Sequence, residues 1–93
     1  SKLMYRIRPT TKFQKDVKRL KKRGYDLSSL TKVIQILADG KSLPPQNRDH
    51  ALSGNYAGFR ECHIAPDWLL IYKIVRGTLI LKLIRTGSHS DLF

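Results

Sequence analysis

Three strand-like runs follow one another with almost no chain between them, and this spacing constrains the fold more than any other feature of the sequence. Phe59–Ile64 (FRECHI), Trp68–Val75 (WLLIYKIV) and Thr78–Thr86 (TLILKLIRT) are rich in branched and aromatic residues, as strands are. Only Ala65–Asp67 and Arg76–Gly77 separate them. Links this short join antiparallel neighbours, because a parallel crossover needs about a dozen residues or more. The second half of the chain therefore predicts an antiparallel sheet.

A short strand and a helix are predicted ahead of this sheet. Tyr5–Arg8 alternates in polarity and ends at Pro9, as an edge strand does. Thr11 and Gln14 have the spacing of a capping box, so we expect the first helix to begin there and to end at Gly24. The apolar positions at helical spacing are Phe13, Val17 and Leu20.

A second helix is predicted between Asp26, as its N-cap, and Gly40, as its end. Its buried stripe comprises Leu27, Leu30, Val33, Ile34 and Leu37. The short link between the two helices favours an antiparallel helical hairpin, and the prolines of residues 41–49 indicate a loop.

The predicted fold class is α+β, with an antiparallel β-sheet of four to five strands and the helical hairpin packed on one face. The element order is βααβββ(β). The length suits a single domain over residues 1–93. Residues 1–3, ahead of Met4, are treated as an expression remnant and set aside.

The hairpin turns predict which residues face one another. A two-residue turn at Arg76–Gly77 places Trp68 opposite Arg85 and Asp67 opposite Thr86.

The histidines meet at one end of the sheet under the same reasoning. The turn at Ala65–Asp67 places His63 opposite Leu69, and a hairpin closed by Ser53–Gly58 brings His50 near Cys62 and His63. The tail after the last strand passes the same end. The predicted cluster is His50, His63, Asp67, Arg85 and His89, and it contains all three histidines of the chain.

The charge of the chain is strongly positive and unevenly placed. Lys and Arg number 18 against 7 Asp and Glu, a net charge of +11, and ten of the cations lie in the first 23 residues. Such a field attracts RNA, DNA, an anionic membrane or an acidic protein, although it also aids solubility. The predicted binding face of the first helix comprises Lys12, Lys15, Lys18, Arg19 and Lys22.

Other classes of protein are disfavoured. One cysteine, Cys62, leaves no internal disulfide and fits a reducing cytoplasm. No apolar stretch approaches the roughly 18–20 residues of a transmembrane helix, and the first residues lack the apolar region of a signal peptide. We expect no membrane partner.

Three interpretations of the histidine cluster remain open. A metal site lacks tight ligand spacing, and Cys62 and His63 point to opposite faces of their strand. Scattered surface histidines seldom converge on one spot. The third interpretation is metal-independent RNA cleavage, in which the 2′-OH attacks the neighbouring phosphate with one histidine as base and another as acid.

Further residues have candidate roles in that reaction. Asp67 would orient a histidine, Arg60 and Arg85 would neutralise developing charge, and Trp68 or Phe93 would stack on a base. Each also has a structural alternative: Trp68 as core, the arginines paired with Glu61 or Asp91, Asp67 as a turn residue, and Cys62 as a buried hydrophobe.

At these residues the sequence resembles a known family. DHALSGNYAGFRECHIAPDWLLIY, followed by LIRTGSHSDLF, is similar to the YafQ branch of the RelE/ParE superfamily of bacterial type II toxins, and FQKDVKRLKKRG resembles the family's first helix. The family's functional residues match His50, His63, Asp67, Trp68, His89 and Phe93. Its arginine near the scissile phosphate corresponds to Arg85.

The resemblance implies a cytoplasmic mRNA interferase without a cofactor. It would act on translated mRNA at the ribosome and be silenced by a cognate antitoxin with an acidic segment. A non-catalytic basic module that binds nucleic acid or an antitoxin is the alternative. Two choices also stay open: which histidine is the base, and whether Phe93 anchors the tail or stacks on RNA.

Overall fold

A computed structural model describes residues 3–93, and its elements alternate much as the sequence predicts. Ser1 and Lys2, part of the stretch set aside above, lie outside the described residues. The elements are β1 (Arg6–Pro9), α1 (Thr11–Lys22), α2 (Leu27–Ala38), β2 (His50–Ala51), β3 (Arg60–Ala65), β4 (Trp68–Val75), β5 (Ile80–Gly87) and α3 (His89–Leu92). Single 3-10 turns at Pro45–Asn47 and Gly54–Tyr56 flank β2. The α+β class is confirmed.

The five strands form one sheet in the order β1-β5-β4-β3-β2. β2, β3, β4 and β5 pair antiparallel, but β1 runs parallel to β5, so the sheet is mixed rather than purely antiparallel. No hairpin joins β1 to β5, and two helices and three strands intervene, so turn geometry does not dictate the direction of β1.

The two central hairpins differ in how well their register was predicted. His63 lies opposite Leu69, as expected, although the turn before β4 has only two residues, because a bulge between His63 and Ala65 shifts the register by one. The β4–β5 register was wrong: Arg85 faces Ile71 rather than Trp68, and Thr86 faces Leu70 rather than Asp67. The turn spans four residues instead of two, and a bulge beside Ile71 shifts the register once more.

Both helix starts are capped by side chains. Thr10 rather than Thr11 caps α1, because its hydroxyl accepts a hydrogen bond from the Phe13 amide at 3.0 Å. Asp26 caps α2 as predicted and accepts from the Ser28 amide at 3.0 Å. The helices end before Gly24 and Gly40, which have positive φ.

The main core lies between the sheet and the helices. Its fully or nearly fully buried members include Leu20, Leu30, Leu37, Cys62, Leu70, Tyr72 and Leu81. Burying each leucine contributes about 1.5–3 kcal/mol. Leu69 and Ile71 alternate with these strand residues and are buried on the opposite face, which is the face that carries His63. None of the helices within residues 3–93 is long and apolar enough to cross a membrane.

Candidate active site

Asp67 and His89 form the best-defined pair at the end of the sheet where β3 turns into β4. Asp67 occupies the turn between β3 and β4, and His89 opens α3 directly after β5. The Asp67 Oδ1 atom accepts from the His89 backbone amide at 3.2 Å and faces its Nδ1 atom at 3.0 Å. The hydrogen bond with His89 lowers the pKa of Asp67, so Asp67 is ionised at neutral pH and acts as an acceptor.

His63 faces His89 across an open gap. Their ring centroids are 6.2 Å apart. The Nδ1 atom of His63 lies 3.3 Å from the Pro66 carbonyl, and its own carbonyl accepts from the Asn47 side chain at 2.8 Å. A cleft of about 370 Å³ opens beside the ring, between β3 and the 3-10 turn that contains Asn47.

His50 lies one strand further out on the same face. It pairs with Glu61, one position from the expected Cys62. Its Nδ1 atom lies 2.7 Å from the Arg48 carbonyl, and its Nε2 atom lies 3.5 Å from the Glu61 carboxylate. Glu61 and His63 are two residues apart on β3, so the His50 and His63 side chains share one face.

All three histidines are held in one tautomer by the same kind of hydrogen bond. Each Nδ1 atom faces an oxygen that only accepts: a carbonyl for His50 and His63, and a carboxylate for His89. Nδ1 therefore carries a proton in each ring. The Nε2 atoms of His63 and His89 remain for a substrate.

The tail that carries His89 is fastened to the domain by Asp91. The Arg23 guanidinium donates two hydrogen bonds to the Asp91 carboxylate, at 2.9 and 3.2 Å. Asp91 also accepts from the Ser88 amide, and the Ser88 hydroxyl accepts from the Asp91 amide, which completes a capping box. The Arg23 guanidinium is the main reason that the pKa of Asp91 lies well below its usual range. Gly87 is required here, because a Cβ would lie 2.9 Å from the Asp91 carboxylate.

Phe93 is exposed at the end of α3. Its ring is 57% accessible and lies 5.6 Å, edge to face, from the exposed ring of Tyr56. The His89 ring is 6.4 Å away. Sequence reasoning missed Tyr56, because an aromatic residue in a turn-rich segment carries no distinguishing pattern.

Arg85 lies beside α1 rather than at the Asp67 turn. Its Nε and Nη2 atoms donate to the two oxygens of Asp16 at 2.7 and 3.0 Å, and this hydrogen bonding raises the pKa of Arg85. Arg85 lines a second cleft, of about 420 Å³, together with Tyr56, Phe59 and Ile71. Tyr56 connects this cleft to Phe93.

Asp16, the partner of Arg85, is a buried carboxylate that sequence reasoning overlooked. It is buried and also accepts from Arg19 at 2.8 Å and from the Thr86 backbone amide at 3.1 Å. Its spacing from Phe13 and Leu20 was the available signal, because i+3 and i−4 place it inside the apolar stripe of α1.

Trp68 and Arg60 do not join the histidines. Trp68 is only 5% accessible, packs edge to face on Tyr25 and donates its indole proton to Thr86 at 2.9 Å. A base cannot stack on a ring placed this way, so Trp68 belongs to the core. Arg60 alternates with Glu61 and therefore points to the other face, where its Nε atom approaches Asp49 and Tyr72 at 3.3 Å.

The basic face of α1 is largely as predicted. Lys12, Lys15, Lys18 and Lys22 are exposed, whereas Arg19 is half-buried because it turns toward Asp16. Cys62 is a buried hydrophobe, and burial raises the pKa of its thiol to about 12.

Comparisons with known proteins agree on one family. A family model described as a bacterial toxin of type II toxin-antitoxin system, YafQ, matches residues 5–93. The mRNA interferase toxin YafQ of Escherichia coli strain K12 is 39% identical over 82 residues, which is 87% of each chain. A metal-bound toxin from Helicobacter pylori superposes with a TM-score of 0.91 at 48% identity, over 97% of this chain and 100% of that one. YafQ from the E. coli DinJ-YafQ toxin-antitoxin complex superposes with a TM-score of 0.88 at 36% identity, over 98% and 99% of the two chains.

Proposed function

The chain belongs to the YafQ family of bacterial type II toxins, and we propose that it is an endoribonuclease that cuts mRNA by histidine acid–base catalysis. The observation that carries this proposal is the pair of imidazoles, His63 and His89, with ring centroids 6.2 Å apart. Both rings hold Nδ1 on an oxygen and present Nε2. A proton-transfer group must come within about 2.6–3.2 Å of its target, and two imidazole rings with centroids this close can serve two oxygens of one phosphodiester bound between them.

His63 is the proposed base and His89 the proposed acid. The Nε2 atom of His63 takes the proton of the 2′-OH, and the 2′-oxygen forms a bond to phosphorus. The bond from phosphorus to the 5′-oxygen breaks, and that oxygen receives the proton from Nε2 of His89. The products end in a 2′,3′-cyclic phosphate and a 5′-hydroxyl.

The two roles follow from the different partners of the two rings. The ionised Asp67 carboxylate beside His89 compensates the positive charge that the ring carries while it holds both protons. His63 faces a neutral carbonyl, which fixes the tautomer without adding charge. We assign the base to His63 rather than His50, because the His50 Nε2 atom faces Glu61.

Two further groups support the transition state in this proposal. Arg85 has its Nε and Nη2 atoms on Asp16, and its Nη1 atom makes no hydrogen bond to any residue between 3 and 93, so this atom is free to approach a phosphate oxygen. Phe93 and Tyr56 provide exposed ring faces on which a base beside the cut can stack.

The proposed substrate is mRNA on the ribosome, in the cytoplasm. The exposed lysines of α1 form a cationic surface suited to RNA phosphates. The DinJ-YafQ complex supports a protein antitoxin as the silencing partner. The net charge of +11 favours an acidic segment in that antitoxin.

A metal ion does not fit this mechanism. Within residues 3–93, no three His, Cys, Asp or Glu side chains lie close enough to hold an ion together. The Nδ1 atom of His89 and the Asp67 carboxylate already satisfy each other. The reaction is therefore proposed to run on side chains alone, although a relative from H. pylori is described as metal-bound.

The test is cleavage of a short RNA in EDTA, and of mRNA on ribosomes with Mg²⁺ kept, by wild type, His63→Gln and His89→Gln. Each substitution should slow cleavage by about 10²–10⁴-fold, with cyclic phosphate at the ends of the wild-type products. His50→Gln is the matched control, and its rate of RNA cleavage should fall far less. Full activity of His89→Gln would remove it from the chemistry, and growth arrest with intact mRNA would indicate a non-catalytic module. Activity lost in EDTA and restored by Zn²⁺ would indicate a metal enzyme.

A further inference from the structure

A second surface of mixed character lies at the opposite end of the sheet from the histidine pair. We call it the turn surface and define it by Met4, Lys41, Arg60, Arg76 and Leu79. Arg76 and Leu79 belong to the turn after β4, whereas Asp67 precedes β4, and the 8 residues of this strand span about 25 Å. The scissile phosphate held by His63 and His89 is therefore out of reach of this surface.

The apolar half of the turn surface consists of Met4 and Leu79. Both are large and well exposed, at 54% and 48% accessibility. Met4 lies over Gly40, where the missing Cβ leaves room for its sulfur atom. Leu79 has φ of 53°, a backbone conformation that a bulky side chain seldom adopts. This conformation keeps the apolar Leu79 side chain displayed at the tip of the turn.

The cationic half consists of Arg60, Arg76 and Lys41, which line one polar cleft of about 240 Å³. The Arg76 Nη1 atom donates to the Tyr5 hydroxyl at 3.3 Å. The Arg60 Nε atom lies 3.3 Å from both Asp49 and the Tyr72 hydroxyl. Each guanidinium is thus held at one edge, and its other donors remain for a ligand with carboxylate or phosphate groups.

We propose that the turn surface binds a segment of the antitoxin whose carboxylates reach Arg76 and Arg60 and whose apolar side chains cover Met4 and Leu79. This inference rests on the antitoxin partner of the proposed function. The exposed Met4 and Leu79 favour a protein over an RNA backbone, because phosphates gain nothing from aliphatic surface. The cations match an acidic segment. Because the surface is remote from His63 and His89, this contact leaves the histidine pair uncovered.

The test is a titration of three toxin variants with the antitoxin purified from its complex with this chain. Leu79→Asn removes the apolar contact and suits positive φ, so the fold should keep its thermal stability. Arg76→Gln removes one cation. Each should weaken antitoxin binding by about tenfold or more. Lys82→Gln is the control, because it removes one charge at an exposed strand position outside the turn surface. It should change the affinity for the antitoxin less than about twofold.

RNA cleavage by each free variant, measured in parallel, separates the two proposals. All three variants should cleave RNA at the wild-type rate. If Leu79→Asn and Arg76→Gln bind the antitoxin as tightly as the wild type does, the turn surface is not its docking site. A loss of RNA or ribosome affinity in place of antitoxin affinity would assign it to RNA and also overturn the proposal. Failure of the wild type to cleave RNA would reject the proposed function, while the antitoxin affinities would still decide this inference.

Discussion

At the scale of single residues, Asp16 connects the basic helix to the strand that leads to the active site. One buried carboxylate accepts hydrogen bonds from Arg19, Arg85 and the Thr86 amide. The Asp16 side chain is only 3% exposed, whereas those of Arg85 and Arg19 are 26% and 40% exposed, so the buried carboxylate depends on these donors to compensate its loss of water. Asp16 also fixes the direction of Arg85, which would otherwise be free to rotate in its cleft.

The role of Phe93 is a choice between an anchor and a stacking platform, and the structure favours stacking. The ring is mostly exposed, and Arg23, Asp91 and Ser88 already fasten the tail. We expect Phe93→Ala to unfold at the wild-type temperature in a thermal melt. We expect its kcat/KM for RNA to fall by about ten- to a hundredfold, since stacking contributes about 1–3 kcal/mol per base.

Phe93→Tyr is the control for this experiment, because it keeps the ring and should keep most of the activity. A fall in melting temperature of Phe93→Ala by several degrees, with activity lost in proportion to unfolding, would show that Phe93 is an anchor.

The sequence predicted part of the candidate site at this scale. His63 faces Leu69 as expected, but the two-residue turn alone would place it opposite Leu70, and a bulge between His63 and Ala65 restores the expected partner. The partner of Arg85 was not predictable from hairpin arithmetic. Arg85 pairs with Asp16, which is 69 positions away on a helix, and no local rule connects them. For Trp68 the structure selects the core alternative over stacking on a base, a choice that a family motif does not decide because it does not reveal which face of a strand is covered.

At the scale of elements, α3 depends on its neighbours. Four residues are too few for a stable isolated helix, since the conformational entropy lost in forming the first turn outweighs the hydrogen bond gained. The capping box of Ser88 and Asp91, the Arg23 ion pair and the bonds from His89 to Asp67 hold it in place. The short helix therefore positions His89 only while these contacts persist.

We predict that Asp91→Asn and Arg23→Gln each lower kcat for RNA cleavage by about tenfold with little change in KM. Both release α3 and so loosen the placement of His89. The pKa of Asp91 is lowered in the folded protein. The stability that its ionised carboxylate contributes is therefore fully present above the unfolded pKa of about 3.9, and it is lost as pH falls through the lower folded value. The loss in kcat should therefore be the same throughout the pH 6–8 range.

Lys21→Gln provides the control for this experiment, because Lys21 is an exposed cation two residues from Arg23. The reversed pair, Arg23→Asp with Asp91→Arg, should recover part of the activity if the ion pair positions the tail. Unchanged kcat in both single variants would show that the bonds to Asp67 suffice.

The register of β5 illustrates where prediction of elements fails. Arg76–Gly77 has the composition of a two-residue turn, but the chain uses four residues and places Leu79 at positive φ. A leucine gives no sequence signal for such a conformation. The bulge beside Ile71 then shifts the pairing again. The two long helices and the main strands were predictable from periodicity, whereas the four-residue α3 was not, and these local departures depend on tertiary contacts.

At the scale of the whole molecule, the positive charge and the histidine pair lie on different elements. Exposed lysines are concentrated on α1, and the proposed catalytic residues lie on β3, in the turn between β3 and β4, and on α3. In the proposed function, the lysines of α1 bind phosphates of the RNA while another nucleotide of the same strand enters the site.

We predict a steep dependence of RNA affinity on salt. Four lysines on single-stranded phosphates give a slope of log K against log salt of about −3, since each contact contributes roughly −0.7. Replacing Lys12, Lys15, Lys18 and Lys22 together by Gln should reduce the slope by that amount, and replacing them by Arg should preserve it. A slope near zero for wild type would assign the lysines to the antitoxin instead.

The pairing of β1 with β5 has a kinetic consequence. The Thr10 hydroxyl donates to the Ile84 carbonyl across 74 positions of sequence, whereas His63 and Leu69 meet across one tight turn. Contacts between distant parts of a chain slow folding, because a large loop must close before they form. We expect the β3–β4 hairpin to form early and β1 with α1 to close onto β5 last. Arg23 at the end of α1 fastens Asp91, so the tail that carries His89 is fixed only at this final closure, and a partly folded chain lacks the complete pair of the proposed acid and base.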